Sequence, residues 1–291
     1  MLLWTAWLWD HLDHLPLSPK GEYYLPELVN LARREGRVVR AVLTDDEQEV
    51  HGVNDRIQLA EANAILRRRT LDDLMRAGVT VLDPATTYVE PEVEIEPDVV
   101  IQPGCHLRGR TRIAQGCEIG PNAVLVDTQV GEDSRVWYSV LESAVVGRRV
   151  AIGPFSHLRP GAIIEDDAVL GNYAEVKASR IGAGTQMHHV SYVGDAEIGA
   201  RVNIGAGTIT VNFSSETRTK SRTTVDDDAS IGSDTMLIAP VHVGPGAITG
   251  AGAVVTRDIP AGEVWVGAPA RRLRPRRGSP VEAEPDQDAA T

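Results

Sequence analysis

The stretch AIGPFSHLRPGAIIEDDAVLGNYAEV, residues 151–176, decides the fold. Its large aliphatic residues recur every six positions, at Ile152, Leu158, Ile164, Leu170 and Val176. Six residues is the period of neither an α-helix nor an alternating β-strand. A small residue stands two positions before each of the last four: Ser156, Ala162, Ala168 and Ala174. This repeat predicts a parallel β-helix, in which the aliphatic side chain points inward and the small one lets each corner close.

The same period extends in both directions from this stretch. It runs from Val89 to Leu125, slips between Val130 and Val146, and returns as far as Val255. The pattern resembles the left-handed parallel β-helix of hexapeptide acyltransferases. At three hexads per coil, it predicts roughly nine coils stacked at the spacing of neighbouring strands. Residues 211–224 interrupt it with a polar and basic segment, which we expect to leave the helix as a loop. Such loops usually carry binding residues, and a neutral insertion is the alternative.

Composition narrows the classes of function. The net charge of -12 argues against nucleic acid or an anionic membrane as the main partner. No apolar run is long enough to span a bilayer. The two cysteines, Cys105 and Cys117, occupy small-residue positions of the repeat and are expected to be buried structural thiols. The N-terminal MLLWTAWLWDHLDHLPL has early acidic residues and no basic region, so it does not match a signal peptide. These features predict a cytoplasmic, reduced protein.

Six consecutive motifs resemble the C-terminal half of the bacterial bifunctional enzymes that make UDP-N-acetylglucosamine. Those enzymes join a glucosamine-1-phosphate N-acetyltransferase to an N-acetylglucosamine-1-phosphate uridylyltransferase, and their product is a precursor of peptidoglycan and lipopolysaccharide. The motifs are IGPFSHLRPGA, GNYAEVKAS, HHVSYVGDAEIG, VNIGAGTITVNF, IGSDTMLIAPVHVG and AGAVVTRDIP. The resemblance implies acetyl transfer from acetyl-CoA to the amine of glucosamine 1-phosphate.

The resemblance and the repeat together predict four regions. The first is a remnant of the C-terminal end of an α/β nucleotidyltransferase domain, and the second is a helical arm. The left-handed β-helix follows, and a charged tail expected to be disordered ends the chain. These regions are residues 1–57, 58–88, 89–270 and 271–291.

The glycine-rich phosphate loop of the family's uridylyltransferase does not occur in this sequence, so we expect this chain to lack that activity. Asn54 matches the family's magnesium-binding asparagine. A single neutral oxygen ligand would hold a divalent cation poorly. We therefore expect Asn54 to be a turn residue and Mg²⁺ to be unnecessary for the acetyltransferase reaction.

The acetyltransferase positions carry over residue by residue from the resemblance. His189 matches the catalytic base, a role that suits an imidazole near neutral pH, whereas His188 has no matching role. The sugar-phosphate positions are Arg159, Lys177, Tyr192 and Asn203. Each of these residues in isolation would more often be an ordinary surface residue. Glu175 is a weaker candidate, as a residue that orients Lys177 or the histidine.

The acetyl-CoA positions are Ala206, Asn212, Phe213, Ser233 and Ala251. In this group Asn212 is a hypothetical hydrogen-bond donor to the oxyanion of the reaction. The sequence departs from the family where Phe213 replaces a tyrosine, and where Gly267 replaces an arginine, for which Arg271 or Arg272 is a candidate substitute. These departures bear on the affinity for acetyl-CoA more than on the sugar chemistry.

The resemblance also implies a homotrimer with shared active sites. Two alternatives stay open at this point. One is a hexapeptide acyltransferase for another amino sugar or nucleotide sugar. The other is a non-catalytic or metal-binding β-helix, for which His157, His189 and His242 would be the ligands. These histidines lack a closely spaced pair, which makes a metal site the weaker hypothesis.

Overall fold

The computed structural model describes residues 3–277 and divides the chain into two compact units, residues 1–59 and residues 60–291. The first unit contains helix α1 (Thr5–Leu12), helix α2 (Glu27–Arg34) and a 3₁₀ turn (Glu47–Val50). Its small core is built from Trp7, Leu15, Leu28 and Ala32. Helix α3 (Arg56–Arg76) begins in this unit and continues into the second.

An α/β remnant was expected in residues 1–57, but the described part of the first unit contains no sheet. An isolated bridge joins Leu17 and Tyr23. The valine-rich segment 37–43 forms no strand.

The second unit is mainly a parallel β-helix with three faces. Apart from a two-stranded hairpin, successive strands go to face 1, face 2 and face 3 in turn, and the strands of successive coils pair in parallel. The last strand of face 1, Arg271–Pro275, is antiparallel to its neighbour. Face 1 contains, in spatial order, Thr80–Val81, Val100–Ile101, Glu118–Ile119, Arg135–Val136, Ala151–Ile152, Val169–Leu170, Gln186–Met187, Asn203–Ile204, Ser230–Ile231, Ile248–Thr249, Glu263–Val266 and Arg271–Pro275.

Faces 2 and 3 have ten and nine strands. Face 2 contains Tyr88–Val89, His106–Arg108, Val124–Val126, Val140–Glu142, His157–Leu158, Ala174–Lys177, Ser191–Gly194, Ile209–Val211, Met236–Ile238 and Val254–Val255. Face 3 contains Glu94–Ile95, Arg112–Ile113, Gln129–Val130, Val145–Val146, Ile163–Ile164, Arg180–Ile181, Ala196–Ile198, Thr223–Val225 and Val241–Val243. The left-handed hexapeptide β-helix predicted from the repeat is thus confirmed. We call the turn from face 1 to face 2 the first corner, and the turn from face 2 to face 3 the second corner.

The core of the β-helix is the predicted ladder of aliphatic residues. Ile152, Leu158, Ile164 and Leu170 are at most 1% exposed, and the small residues two positions before the anchors are buried as well. Cys105 and Cys117 are free and buried, as the repeat predicted. Burying apolar side chains on three inward faces gives each coil a share of one continuous core, which stabilises the stack by the hydrophobic effect.

Two predicted boundaries of the β-helix were wrong. Residues 58–88 were assigned to the arm, but the strand Thr80–Val81 already pairs with Val100–Ile101. Val79 and Val81 are buried in the same core, so the first coil begins directly after α3 ends. Leu71, on α3, is fully buried and packs into that core.

Residues 271–291 were predicted to be disordered. Arg271–Pro275 instead forms a strand antiparallel to Glu263–Val266. The last strand of a face leaves one row of backbone groups unpaired, and this segment satisfies part of that row by folding back. The prediction for residues 278–291 lies outside the described residues. Within residues 3–277 no helix has the length and apolar character needed to cross a membrane.

Candidate functional site

A line of residues along the first corner contains His189. In face 1 the inward residues Leu170 and Met187 are in register, as are Ile204 and Ile231. Strand pairs Gln186–Asn203 and Ser230–Ile248 continue the same register through the neighbouring coils. His189, Ala206, Ser233 and Ala251 each stand two residues after an inward residue of this series. We call these four residues the histidine column.

The coils stack tightly along the histidine column. A β-carbon on Gly205 would lie 2.5 Å from the Ser233 backbone nitrogen, and one on Gly232 would lie 2.8 Å from that of Ala251. Small residues thus continue the column from the imidazole of His189 toward the C-terminal end of the β-helix. Such a surface leaves backbone groups accessible to a long flexible ligand.

The two adjacent histidines have different surroundings, and both are exposed. The Nε2 atom of His188 lies 3.0 Å from the Oε1 atom of Gln186. Within residues 3–277 His189 has no hydrogen bond through its ring, and its ring centroid lies 6.3 Å from that of His188. His189 therefore has both ring nitrogens available to an incoming group.

A second group of candidates meets at the second corner. We call Lys177, Tyr192, Asp195, Asn212 and Lys220 the lysine cluster. Tyr192 lies in the middle of a face 2 strand, and Lys177 pairs with Gly194 across two neighbouring strands. Asp195 follows directly after Gly194 at the corner, and Asn212 follows the face 2 strand of the next coil.

Contacts within the lysine cluster centre on one carboxylate. The Oδ2 atom of Asp195 lies 3.9 Å from the Nζ atom of Lys177 and accepts a hydrogen bond from the Nδ2 atom of Asn212. The same Nδ2 atom lies 3.5 Å from the Tyr192 hydroxyl oxygen. Gly194 makes room for the phenol ring, because a β-carbon there would lie 2.3 Å from that hydroxyl oxygen. Lys177 and Asp195 are both largely buried, at 24% and 20% side-chain exposure.

Lys220 joins the cluster from the polar segment that leaves the β-helix. This segment is a hairpin, in which Phe213–Ser214 pairs with Thr219–Lys220 in antiparallel fashion. The Ser221 N–H donates to the Asn212 carbonyl oxygen and closes the hairpin base. The close approach of the positively charged Lys177 ammonium lowers the pKa of the Lys220 ammonium. Two cations held this close form a natural site for an anion.

Arg159 lies beside this cluster, directly after the strand His157–Leu158, which pairs with the strand of Lys177. Its Nη1 atom is 3.0 Å from the Oε1 atom of Glu175. Glu175 and Tyr192 pair directly across neighbouring strands. The guanidinium is 43% exposed, so it keeps donors free for a ligand while Glu175 fixes its position.

The structure does not bring all the predicted site residues together. Asn203 points outward from face 1, where it pairs with Gln186 and Ser230. Phe213 is 51% exposed on the hairpin. Asn54 belongs to the first unit, where its backbone N–H donates to the Gln58 side-chain oxygen over 2.6 Å.

The histidines of the metal hypothesis lie on different surfaces. His157 on face 2 is 2.9 Å from Glu142, and His242 on face 3 is 2.6 Å from Asp226. His189 lies at the first corner. In the part of the chain that the structure describes, no group of three or more His, Cys, Asp or Glu side chains converges on one point. His157, His189 and His242 of one chain thus do not converge on a shared point.

Sequence reasoning missed Asp195 and Lys220. Asp195 stands within the quoted motif HHVSYVGDAEIG and has a left-handed backbone with φ of 49°, but corner aspartates recur throughout the repeat. Lys220 lies in the hairpin, whose path back to the β-helix no periodicity predicts. Only their tertiary contacts distinguish these two residues from other aspartates and lysines in the sequence.

The two groups of candidates lie at opposite edges of face 2. His189 is six positions before Asp195, so the two corners are separated by roughly 15–20 Å at the usual rise of an extended chain. The histidine column and the lysine cluster of one chain therefore border the same face without meeting on it.

Two protein-family models match parts of the repeat. The bacterial transferase hexapeptide (six repeats) model matches residues 92–126 and 143–178, and the hexapeptide repeat of succinyl-transferase model matches residues 222–257. A solved UDP-N-acetylglucosamine acyltransferase from Francisella novicida is 16% identical, with a TM-score of 0.41 over 67% of this chain and 69% of its own.

Curated relatives cover more of the chain. The bifunctional protein GlmU of Halalkalibacterium halodurans is 46% identical over 84% of this chain and 53% of its own length. The bifunctional protein GlmU of Mycolicibacterium gilvum is 45% identical over 91% of this chain and 54% of its own length. This chain thus spans about half the length of the curated relatives it matches.

Proposed function

We propose that this chain, which belongs to the family of the bifunctional protein GlmU over the half it shares with those proteins, transfers acetyl from acetyl-CoA to the amine of glucosamine 1-phosphate. The product would be N-acetylglucosamine 1-phosphate, the sugar phosphate required for UDP-N-acetylglucosamine synthesis. The observation that carries the proposal is the arrangement on the β-helix. An unpaired histidine begins a column of small residues, and a two-lysine anion site lies at the other edge of the same face.

The lysine cluster is proposed to hold the sugar phosphate. Lys177 and Lys220 supply two ammonium groups at one point, and their mutual repulsion would be relieved by a phosphate between them. Arg159 adds a planar guanidinium suited to bidentate contact with phosphate oxygens. Tyr192 offers a hydroxyl to the sugar, and Asn203 is a further proposed sugar contact.

His189 is proposed to act as the general base. The neutral amine nitrogen attacks the thioester carbonyl carbon, and the imidazole accepts the proton that this nitrogen loses. The carbon–sulfur bond then breaks, and the CoA sulfur takes up a proton. Ala206, Ser233 and Ala251 continue the column beside His189, so the pantetheine arm of acetyl-CoA is proposed to follow these small residues, with Phe213 as a further contact.

The active site is proposed to be shared between copies of the chain. The phosphate and the amine of glucosamine 1-phosphate are attached to neighbouring carbon atoms. An acceptor held by Lys177 therefore cannot reach His189 across roughly 15–20 Å of the same face. A site in which the first corner of one copy faces the second corner of another brings the two groups together.

That contact joins two different surfaces, and contacts of this type form a closed ring when the rotation between copies closes. The ring proposed here is a homotrimer. This assignment rests on the separation of the two corners and on the family resemblance.

Two measurements test the proposal. Purified protein is assayed for CoA release with acetyl-CoA and glucosamine 1-phosphate, beside glucosamine 6-phosphate and free glucosamine as alternative acceptors. We expect glucosamine 1-phosphate to give the highest kcat/KM. Preference for a different amine would redirect the proposal to another amino sugar.

The shared site is tested by mixing variants. His189→Ala and Lys177→Ala chains, each weakly active alone, are unfolded together, refolded and assayed. If sites form between copies, some interfaces pair an intact His189 with an intact Lys177, and activity rises above that of either variant refolded alone. A mixture no more active than the sum of its components would place both residues in a site within one chain.

A further inference from the structure

The contact between Asp195 and Asn212 fixes the orientation of a carboxamide. The Oδ2 atom of Asp195 accepts a hydrogen bond from the Nδ2 atom of Asn212. An ionised carboxylate has only acceptor atoms, so the amide must turn its NH₂ group toward it. The second N–H of this group lies toward the Tyr192 hydroxyl, 3.5 Å away. The side-chain carbonyl oxygen of Asn212 is then the atom left free.

The turn at the second corner does not need an aspartate. Asp195 has φ of 49°, and the same left-handed corner position is occupied by Ser143 and by Ala178 in earlier coils, with φ of 46° and 45°. Asp127 occupies it with φ of 48°, where its carboxylate accepts from the backbone N–H of Arg110. The turn therefore accepts alanine and serine, and the carboxylate of Asp195 is free to serve the contact with Asn212.

Asp195 also sets the charge at this corner. Its carboxylate lies 3.9 Å from the Lys177 ammonium, and Lys177 and Lys220 are close enough to repel each other. One anion thus holds both the lysine and the amide at the base of the hairpin. The position of Asn212 relative to Lys177 follows from this shared partner.

We propose that Asp195 is a positioning residue that makes Asn212 a hydrogen-bond acceptor for the amine of the acceptor substrate. This inference rests on the proposed acetyl transfer. An N–H of the substrate amine would donate to the Asn212 Oδ1 atom, which aims the nitrogen lone pair away from the lysine cluster and toward the thioester carbon. Asn212 would then not donate to the oxyanion, the role considered from the sequence, because both of its N–H bonds point to Asp195 and Tyr192.

An exchange of the two side chains separates these roles. In N212D two carboxylates face each other, and we expect kcat to fall about ten- to hundredfold, the usual worth of a hydrogen bond to a charged group. In the double variant D195N/N212D, the new amide at 195 donates to the new carboxylate at 212. One oxygen of that carboxylate stays free, so an acceptor is again presented.

We expect the double variant to recover kcat to within about tenfold of the parent, with KM for acetyl-CoA unchanged. A donor role for Asn212 would leave the double variant as inactive as N212D, since the carboxylate cannot donate, and that result would overturn the proposal. If Asp195 only supported the fold, exchanging the side chains at positions 195 and 212 would not be expected to restore kcat.

Controls keep the test specific. Asp195→Ala should stay folded, because Ala178 occupies the same corner conformation, and its kcat should fall while its unfolding midpoint stays near that of the parent. Asp127→Ala removes the corresponding aspartate from a distant coil and should leave kcat unchanged. Equal losses of kcat in these two variants would also overturn the proposal. If the parent itself acetylates no amino sugar, the proposed function fails first, and that outcome is distinct from failed rescue in an active parent.

Discussion

The ammonium groups of Lys177 and Lys220 converge at the second corner of the β-helix, where Lys177 lowers the pKa of Lys220. The first lysine belongs to a face 2 strand and the second to the hairpin that leaves the β-helix. Among the described residues 3–277, the carboxylate that contacts Lys177 is that of Asp195. A folded protein that holds two cations in this way gains by binding an anion between them.

Removing either lysine should weaken binding of glucosamine 1-phosphate. For Lys177→Ala and Lys220→Ala we expect KM for the sugar phosphate to rise about ten- to hundredfold, since each loses a charge-assisted contact. KM for acetyl-CoA should stay within about threefold, well below the worth of such a contact. Arg218→Asn is the matched control, because it removes a cation from the same hairpin and asparagine tolerates the left-handed backbone at this position.

The lowered pKa of Lys220 gives this binding a pH dependence. As the pH rises, Lys220 loses its proton before an ordinary lysine would. The site then keeps one ammonium in place of two, so KM for glucosamine 1-phosphate should rise in alkaline solution. In Lys220→Ala this early rise should be absent. Identical pH profiles for parent and variant would mean that Lys220 does not face the phosphate.

His189→Ala should lower kcat by about 10²- to 10⁴-fold, the usual contribution of a general base. His188→Ala should have a small effect, because His188 is engaged with Gln186 and stands outside the histidine column. Steady-state rates with both substrates saturating make the comparison. Both rings are exposed, so the urea midpoints of the two variants should match that of the parent. A larger loss in His188→Ala would show that the column is assigned one residue out of register.

Leu158→Ala should destabilise the β-helix by about 2–5 kcal/mol, since a fully buried leucine leaves a cavity when truncated. Ile163→Ala is the matched control from the following hexad. Ile163 points outward and is 44% exposed, so its truncation should cost less than about 1 kcal/mol. Urea unfolding followed by far-ultraviolet circular dichroism measures both. Equal destabilisation would contradict the inward and outward assignment of the repeat.

The two thiols should be inert in the folded protein. Burial raises the pKa of Cys117 to about 11 and also raises that of Cys105. The thiolate is the reactive form, and very little of it is present at neutral pH. A chromogenic disulfide reagent should therefore detect almost no thiol in the native chain and both thiols after denaturation in guanidinium chloride. Rapid labelling of the native protein would show that the coils around these residues open.

Much of the β-helix followed from the sequence alone. Ile152, Leu158 and Ile164 could be assigned to the core because a six-residue period with three faces has one arrangement that buries every anchor. The same period predicted that residues 211–224 leave the β-helix, although the strands Ile209–Val211 and Thr223–Val225 keep the two ends of that segment in it. The six-residue period did not predict the two ends of the β-helix. Val79 and Arg271–Pro275 join the structure there through pairing with the terminal coils and not through the hexad.

Tertiary structure decided which outward residues meet. The six-residue period constrains the side chains that are buried. It does not determine which outward side chains contact each other. The register of face 1 aligns His189 with Ala206, Ser233 and Ala251. The return of the hairpin brings Lys220 to Lys177, and the second corner sets Asp195 against Asn212. The sequence determined the coil through the period of its buried residues, while coil-to-coil stacking and one hairpin decided the chemistry on its surface, because those contacts join residues that share no period.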